Sequence, residues 1–413
     1  MPLVRPFAAL RPAPAHAAEV AAPPYDVLST EEARARAAGK PWSFLHVSKP
    51  EIDLPAGTDP HASAVYARAR ENLARMIDAG VLVRDAAPAF YVYRMSVGEL
   101  VQTGVAVGAS IAAYEANRVR RHEHTRPDKE DDRVLHMEAI NAQTGPVLAA
   151  YPPASALDAI LAEAAHATPA VDVVADGEVR HSIWPVRDAA RSVRIGALFD
   201  AMPALYIADG HHRSAAAARV AANRRAMHPG SSAEASWESF LVVAFPHHDL
   251  RILGYNRVVR DLNGLSLDAF LAKLREKFAV ATSDAPVRPA RHGEFGLYAG
   301  GKWHRLVLRR ELAEVADPAA RLDVSLLTAH VLEPVLAIGD QRTDRRIDFV
   351  GGGRGLRELA KRVDAGEMAA AFALYPTRLE DLMAVADAGE VMPPKSTWFE
   401  PKLADGLLSH VLD

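Results

Sequence analysis

Apolar and polar positions along the chain fall into two periods. Residues 89–95 and 101–111 alternate and read as a hairpin turning near Gly98. Helical spacing marks residues 31–38, behind Ser29 or Thr30 as N-cap, and residues 65–79, closed by Gly80. A highly charged stretch follows, then a helix over 134–142, a strand over 146–151 and a helix over 157–165. Residues 170–174 and 180–185 form a second hairpin pattern around Gly177. A short apolar run at 204–208 leads through Asp-Gly-His-His-Arg into an alanine-rich helix ending near Met227. The segment SFLVVAF (239–245) reads as a buried strand, with 250–259 expected to pair with it. Beyond it, helices are predicted at 267–277, 324–336, 355–363 and 379–388, and strands near 278–280, 295–298, 304–308 and 370–375. The fold class is therefore α+β, without internal repeats. The least contact-rich boundary divides the chain into an α+β region over 1–260 and a second over 261–413, whose tail MPPKSTWFEPKL packs back on the core.

Composition narrows the chemistry. The 413 residues contain no cysteine, which excludes disulfides, thiolate metal sites and cysteine nucleophiles. Forty-eight basic against 52 acidic side chains leave a net charge of −4, so no basic field is available for a nucleic-acid backbone. No apolar run approaches the roughly 18 residues of a membrane helix. The first 20 residues loosely resemble a secretion signal, but Arg5, Pro6, Arg11 and Pro12 break their apolar stretch, and a cytoplasmic protein is expected.

The strongest chemical signal is Asp209-Gly210-His211-His212-Arg213 between a strand and a helix. A glycine turn there aims free backbone N–H groups and the positive helix end at one place, an arrangement suited to phosphate. Arg213 in the first helical turn opposes the dipole unless an anion lies beside it. Asp209 reads either as a simple N-cap or as a metal ligand or catalytic carboxylate. His211 and His212 read as phosphate donors or as structural histidines, and Gly210 as the residue that permits the turn.

A second cluster runs Arg120-Arg121-His122-Glu123-His124-Thr125, then Lys129 and Asp131-Asp132-Arg133. It is either a solvated loop or a polyphosphate site with Mg²⁺, with arginine and lysine on oxygens and carboxylates on the metal. The histidine spacing does not fit HExxH. Pro23-Pro24-Tyr25-Asp26 sets a carboxylate on a rigid segment, and Lys395 and Lys402 flank an aromatic pair near the C-terminus. The run Gly351-Gly352-Gly353 lacks the Lys-Ser/Thr ending of a phosphate loop and reads as a turn.

With these residues in hand, the chain resembles the domain-of-unknown-function family ten-fifteen, whose signature is Ala-Asp-Gly-His-His-Arg. The resemblance rests on PPYDVL at 23–28, SFLHV at 43–47, RHEHT at 121–125, Lys129 with Asp132-Arg133, LYIADGHHR at 205–213, RIDFVGG at 346–352 and MPPKSTWFEPKL at 392–403. One departure is visible: Gly254-Tyr255-Asn256-Arg257 stands where a Pro-Thr-His-Arg-like segment is expected, so Asn256 replaces a histidine. The Gly-His-His-Arg turn is also similar to the phosphate turn of the ParB and sulfiredoxin superfamily. That similarity implies a mixed-sheet nucleotide-binding core and, in some members, kinase activity on free serine. Without cysteine, sulfiredoxin chemistry is excluded.

The resemblance thus implies an ATP- or ADP-dependent, Mg²⁺-dependent kinase acting on a small hydroxyl amino acid, free serine first. In that reading Gly210, His211, His212, Arg213, Lys129 and Arg133 hold the nucleotide phosphates. Asp209, Glu123 and His122 are the catalytic candidates, Asp209 and Glu123 also being the Mg²⁺ ligands. Asp26 and Lys395 contact the acceptor. The alternatives are a non-catalytic nucleotide-binding regulator and a metal-dependent hydrolase.

Overall fold

The computed structural model describes residues 2–413; Met1, which opens the signal-like stretch, lies outside them. The chain forms two compact units. One contains residues up to Arg121, Thr125–Leu250 and Pro401–Asp413; the other contains His122–His124 and Arg251–Glu400.

The first unit is built on a nine-stranded sheet. Its order is Val119–Arg120, Leu205–Asp209, Val147–Tyr151, Ser239–Pro246, Leu100–Ser110, Phe90–Val97, Arg180–Val186 and Val171–Val174, with Val4–Arg5 added to Leu100–Ser110. Directions are mixed. Leu205–Asp209 runs parallel to Val119–Arg120 and antiparallel to Val147–Tyr151, whereas Ser239–Pro246 runs parallel to Val147–Tyr151 and antiparallel to Leu100–Ser110. Every residue of Ser239–Pro246 is buried, which is why that strand reads as an unbroken apolar run. The helix His211–Met227 buries Ala216, Ala217, Val220 and Ala221, and the helix Pro127–Ile140 packs against it. A four-stranded sheet of the same unit includes Ser409–Val411, so the C-terminal residues belong to this core.

Two expectations are corrected here, and one helix is added. Residues 250–259 do not pair with Ser239–Pro246; Ile252–Leu253 pairs with Trp398–Phe399, and Tyr255–Val259 lies between Ile347–Gly351 and Ala370–Leu374. The helix expected from residue 134 begins at Pro127, where proline suits the first helical position and Asp128 and Glu130 favour the positive dipole end. The helix Ala189–Asp200, not anticipated, is capped by Asp188, whose side chain accepts from the Arg191 amide.

The second unit centres on a six-stranded antiparallel sheet, ordered Phe278–Ser283, Lys302–Leu308, Glu294–Ala299, Ala370–Leu374, Tyr255–Val259 and Ile347–Gly351. Leu359 of the helix Gly355–Asp364 packs with Val258, Val350 and Ala371 in its core.

Candidate functional site

Leu205–Asp209 carries the chain to Gly210, whose φ of +99° turns it into the helix His211–Met227. A side chain is strained at that φ, and a β-carbon would also stand 3.0 Å from Arg213 Nε. Glycine is therefore required twice over. The N-cap residue is glycine and supplies no capping side chain, and the positive end of the helix faces the turn.

A second helix start lies beside it. Pro127–Ile140 also begins without a side-chain cap, after Arg126. The Arg126 amide donates to His212 Nε2 at 3.1 Å, Arg219 reaches Asp131 at 2.7 Å, and Asn223 reaches Glu138 at 2.9 Å. These contacts advance together along both segments, so the helices run side by side in one direction with their positive ends at the same end. The acids near the second start are engaged: Asp128 by Arg126, and Glu130 and Asp131 by Arg219.

Asp209 Oδ2 lies 3.3 Å from Lys402 Nζ and 3.5 Å from Arg213 Nη2. Burial alone would raise this carboxyl; Lys402 and Arg213 outweigh it and hold it well below the usual carboxylate range. Asp209 is thus ionised at neutral pH and a feeble base. Both contacts fall on Oδ2.

Arg213 is only 5% exposed. Its Nη1 donates to the Pro146 carbonyl, and its Cδ lies where a β-carbon on Gly145 would come within 3.2 Å. The sequence reading set this guanidinium beside a bound anion. In the structure it lies under the turn and ties it to the start of the neighbouring strand, because a side chain in the first helical turn leans back towards the helix N-terminus. His211 is buried, and its carbonyl accepts from Ser214 Oγ.

Arg133 is held by Asp132 at 2.6 and 2.9 Å, and its guanidinium carbon lies 4.0 Å from the centre of the Tyr25 ring. Burial pushes the Tyr25 hydroxyl up to about 12, with Arg133 opposing. Lys129, exposed, precedes Arg133 by one turn on the same face. Asp26 is exposed on the turn Tyr25–Val27 and acts electrostatically on Arg133 and Arg213.

The first unit therefore gathers Asp26, Lys129, Arg133, Asp209, Gly210, His211, His212 and Arg213. His122, Glu123 and Lys395 belong to the second unit. There His122 is buried and its carbonyl accepts from the Met392 amide at 2.8 Å, Glu123 is half-buried, and Lys395 is exposed at φ +58°. The fully buried Arg257 donates to the carbonyls of Lys395, Pro394 and Tyr255, fixing the tail segment. Asn256, at the expected histidine position, accepts from the Leu374 amide at 3.1 Å and serves the sheet.

The family described as "Protein of unknown function (DUF1015)" matches residues 4–325. The chain belongs to DUF1015. No curated protein matches it. Among solved structures, this DUF1015 chain is similar to a free serine kinase in complex with AMP (14% identity, TM-score 0.33, covering 71% of this chain and 86% of that one). It is also similar to SbnI with a C-terminal truncation from Staphylococcus aureus (10%, 0.36, 73% and 85%). A conserved hypothetical protein from Pyrococcus furiosus is a third (15%, 0.34, 73% and 93%). At such TM-scores the likeness is too loose to transfer a site.

The sequence reading of the DUF1015 chain missed three participants. Lys402 was noted only as a tail cation, yet it holds Asp209. Asp405 and Ser48 carried no local motif signal, and both line a small cavity behind Arg213. A far larger cavity of the same unit, about 680 Å³ among Glu19, Arg36, Lys40 and Trp42, contains none of the expected site residues. The chemistry of the DUF1015 turn, rather than the larger volume, marks the candidate site. Among the described residues, no helix is long and apolar enough to cross a membrane.

Proposed function

We propose that the Gly210 turn binds the phosphates of ATP or ADP with Mg²⁺, and that the protein transfers a phosphoryl group to a small hydroxyl amino acid, free serine first. The observation that carries this reading is the meeting of two helix starts without side-chain caps, joined through the Arg126 amide and His212. Phosphoryl transfer asks chiefly for positioning and charge neutralisation. The amides of 211–213, two positive helix ends, Lys402 and Lys129 supply both. Arg213 positions the turn from beneath. Serine as acceptor, and the ParB and sulfiredoxin kinship, come from the sequence resemblance and belong to the same proposal, as does a cytoplasmic location.

The residues fit Mg²⁺: Asp209 is ionised and its side chain is 32% exposed, and this ion is ordinarily held by one or two carboxylates, water and the phosphates themselves. When bound it neutralises charge on the phosphate oxygens. In the reaction proposed, the acceptor oxygen bonds to the terminal phosphorus, the bridging P–O bond breaks, and the shortened nucleotide leaves with the electron pair. Asp209 is held too far below the usual carboxylate range to be an efficient base, so the hydroxyl proton is proposed to leave to solvent, with Asp26 as an acceptor contact; the resemblance names Glu123, His122 and Lys395, on the second unit, as further candidates.

The second reading is a nucleotide-binding regulator without turnover. Parallel incubations with ATP and with ADP, each with Mg²⁺ and serine, separate them. Equal yields of phosphoserine and the shortened nucleotide from either donor support the kinase, saturable nucleotide binding without product from both supports the regulator, and no binding removes both.

A further inference from the structure

Behind Arg213, in the first unit, lies a cavity of about 20 Å³. That is room for one water-sized group. Its walls include Tyr25, Ser48, Arg133, Thr144, Arg213 and Asp405. Two buried polar atoms facing it lack a hydrogen-bond partner: Ser48 Oγ, on a residue 4% exposed, and Asp405 Oδ2, on a residue 1% exposed. Buried polar atoms are rarely left in this state, and a carboxylate oxygen is among the costliest to abandon.

The charges around the cavity do not cancel. Arg133 is taken by Asp132, and Arg213 and Lys402 both by Asp209. Asp405 and Asp26 remain; burial raises the Asp405 carboxyl, Arg213 and Arg133 oppose without cancelling that rise, and Asp26 adds to it. The permanent cations of the cluster, Arg133, Arg213 and Lys402, thus face one carboxylate more than they neutralise. What is wanting is a water-sized group that brings hydrogen-bond donors and one positive charge.

We propose that this cavity receives a primary ammonium group, the amino group of the small substrate, with Asp405 Oδ2 and Ser48 Oγ accepting its hydrogens. A water molecule would meet the two oxygens but leave the charge; an ammonium answers both. Only the nitrogen enters the cavity. Arg213 lines it and also touches Asp209 at the turn, so the carbon skeleton and hydroxyl extend towards the phosphate seat. The inference rests on the reading of this site as one for a hydroxyl amino acid, and it gives the ammonium of that acceptor to Asp405. With the cavity empty, burial pushes the Asp405 carboxyl up to about 7, so a proton stands in for the ammonium.

The test is a calorimetric titration of the full chain, with a non-hydrolysable ATP analogue and Mg²⁺ present, against L-serine, ethanolamine and 3-hydroxypropionate, the last being serine without its amino group. Wild-type protein is expected to bind the two amines and to discriminate against 3-hydroxypropionate by about tenfold or more, the scale of a charged hydrogen bond. D405N and S48A should each weaken serine binding, D405N by about tenfold or more, with nucleotide affinity unchanged. The comparison within wild-type protein needs no variant to fold. If the amines bind no better than 3-hydroxypropionate, or if folded D405N binds serine as wild type does, the ammonium site is overturned. If the amines bind as expected and no phosphoserine forms, the kinase reading fails and the ammonium site stands.

Discussion

Lys402 Nζ stands 3.3 Å from Asp209 Oδ2, across 193 positions of sequence. The tail that follows the Lys-Ser-Thr-Trp-Phe motif thereby reaches the last residue of the strand feeding the Gly210 turn. Lys402 can hold the acid while the turn is empty and face phosphate when it is filled. K402M should weaken ATP binding about tenfold. It should lower stability by only about 1 kcal/mol, since the Asp209 side chain is 32% exposed and solvent screens the pair. Titration calorimetry and urea unfolding give the two values, and an unchanged affinity would detach Lys402 from the site.

Gly210 is the position least tolerant of substitution. G210A forces a β-carbon into the left-handed region, against the Arg213 guanidinium. The expected cost is about 1–3 kcal/mol of stability, with nucleotide binding lost because the first amides of the helix lose their aim. Fully retained binding in folded G210A would show that the turn does not hold the ligand.

Arg213 separates two roles. The sequence reading gave it direct phosphate contact, whereas its place under the turn predicts that R213A mainly destabilises, by about 3 kcal/mol for a partnered buried charge pair broken on one side. Unfolding midpoints measured beside ATP titrations decide. A large loss of affinity with stability intact would return the guanidinium to the phosphates.

The pH dependence of stability has a definite sign. Burial lowers His136, His181 and His410 to about 4 each, against about 6.5 in an unfolded chain. Their contribution is fully present above about 6.5 and is lost as pH falls towards 4. Asp405, raised to about 7, runs the other way: its contribution is present below about 4 and lost as pH rises through 7. Three histidine protons taken up and one carboxyl proton released on unfolding leave a net uptake of about two between pH 4 and 6.5. Urea titrations of the first unit's signal across that range should show stability falling as pH drops. D405N, which removes the opposing group, should steepen the fall by about one proton. A slope unchanged in D405N would contradict the raised carboxyl.

What the sequence disclosed and what it hid divide on physical lines. The hairpin Phe90–Val97 and Leu100–Ser110, and the strand–turn–helix at Gly210, were legible because period-two alternation and a glycine before a helical run are local signals. The start of Pro127–Ile140 was hidden by its own charge: proline and early acids mark a helix start, yet the same residues read as a solvated loop. The pairing of residues 250–259 was misjudged because neighbours in sequence often pair, and here the strand joined Ile347–Gly351 and Ala370–Leu374 instead. Ser48, Arg133, Arg213 and Asp405 come from four distant segments. No spacing rule joins them; only folding brings them to one cavity.

The central claim is that the Gly210 turn and the adjoining start of Pro127–Ile140 seat the phosphates of a nucleotide. The most direct measurement is a calorimetric titration of the full chain with a non-hydrolysable ATP analogue and Mg²⁺ beside the same titration with adenosine. The account predicts saturable binding of the analogue and at least about tenfold weaker binding of adenosine, since charged hydrogen bonds to phosphate carry the affinity. Adenosine binding as tightly as the triphosphate, or no binding of either, would contradict it.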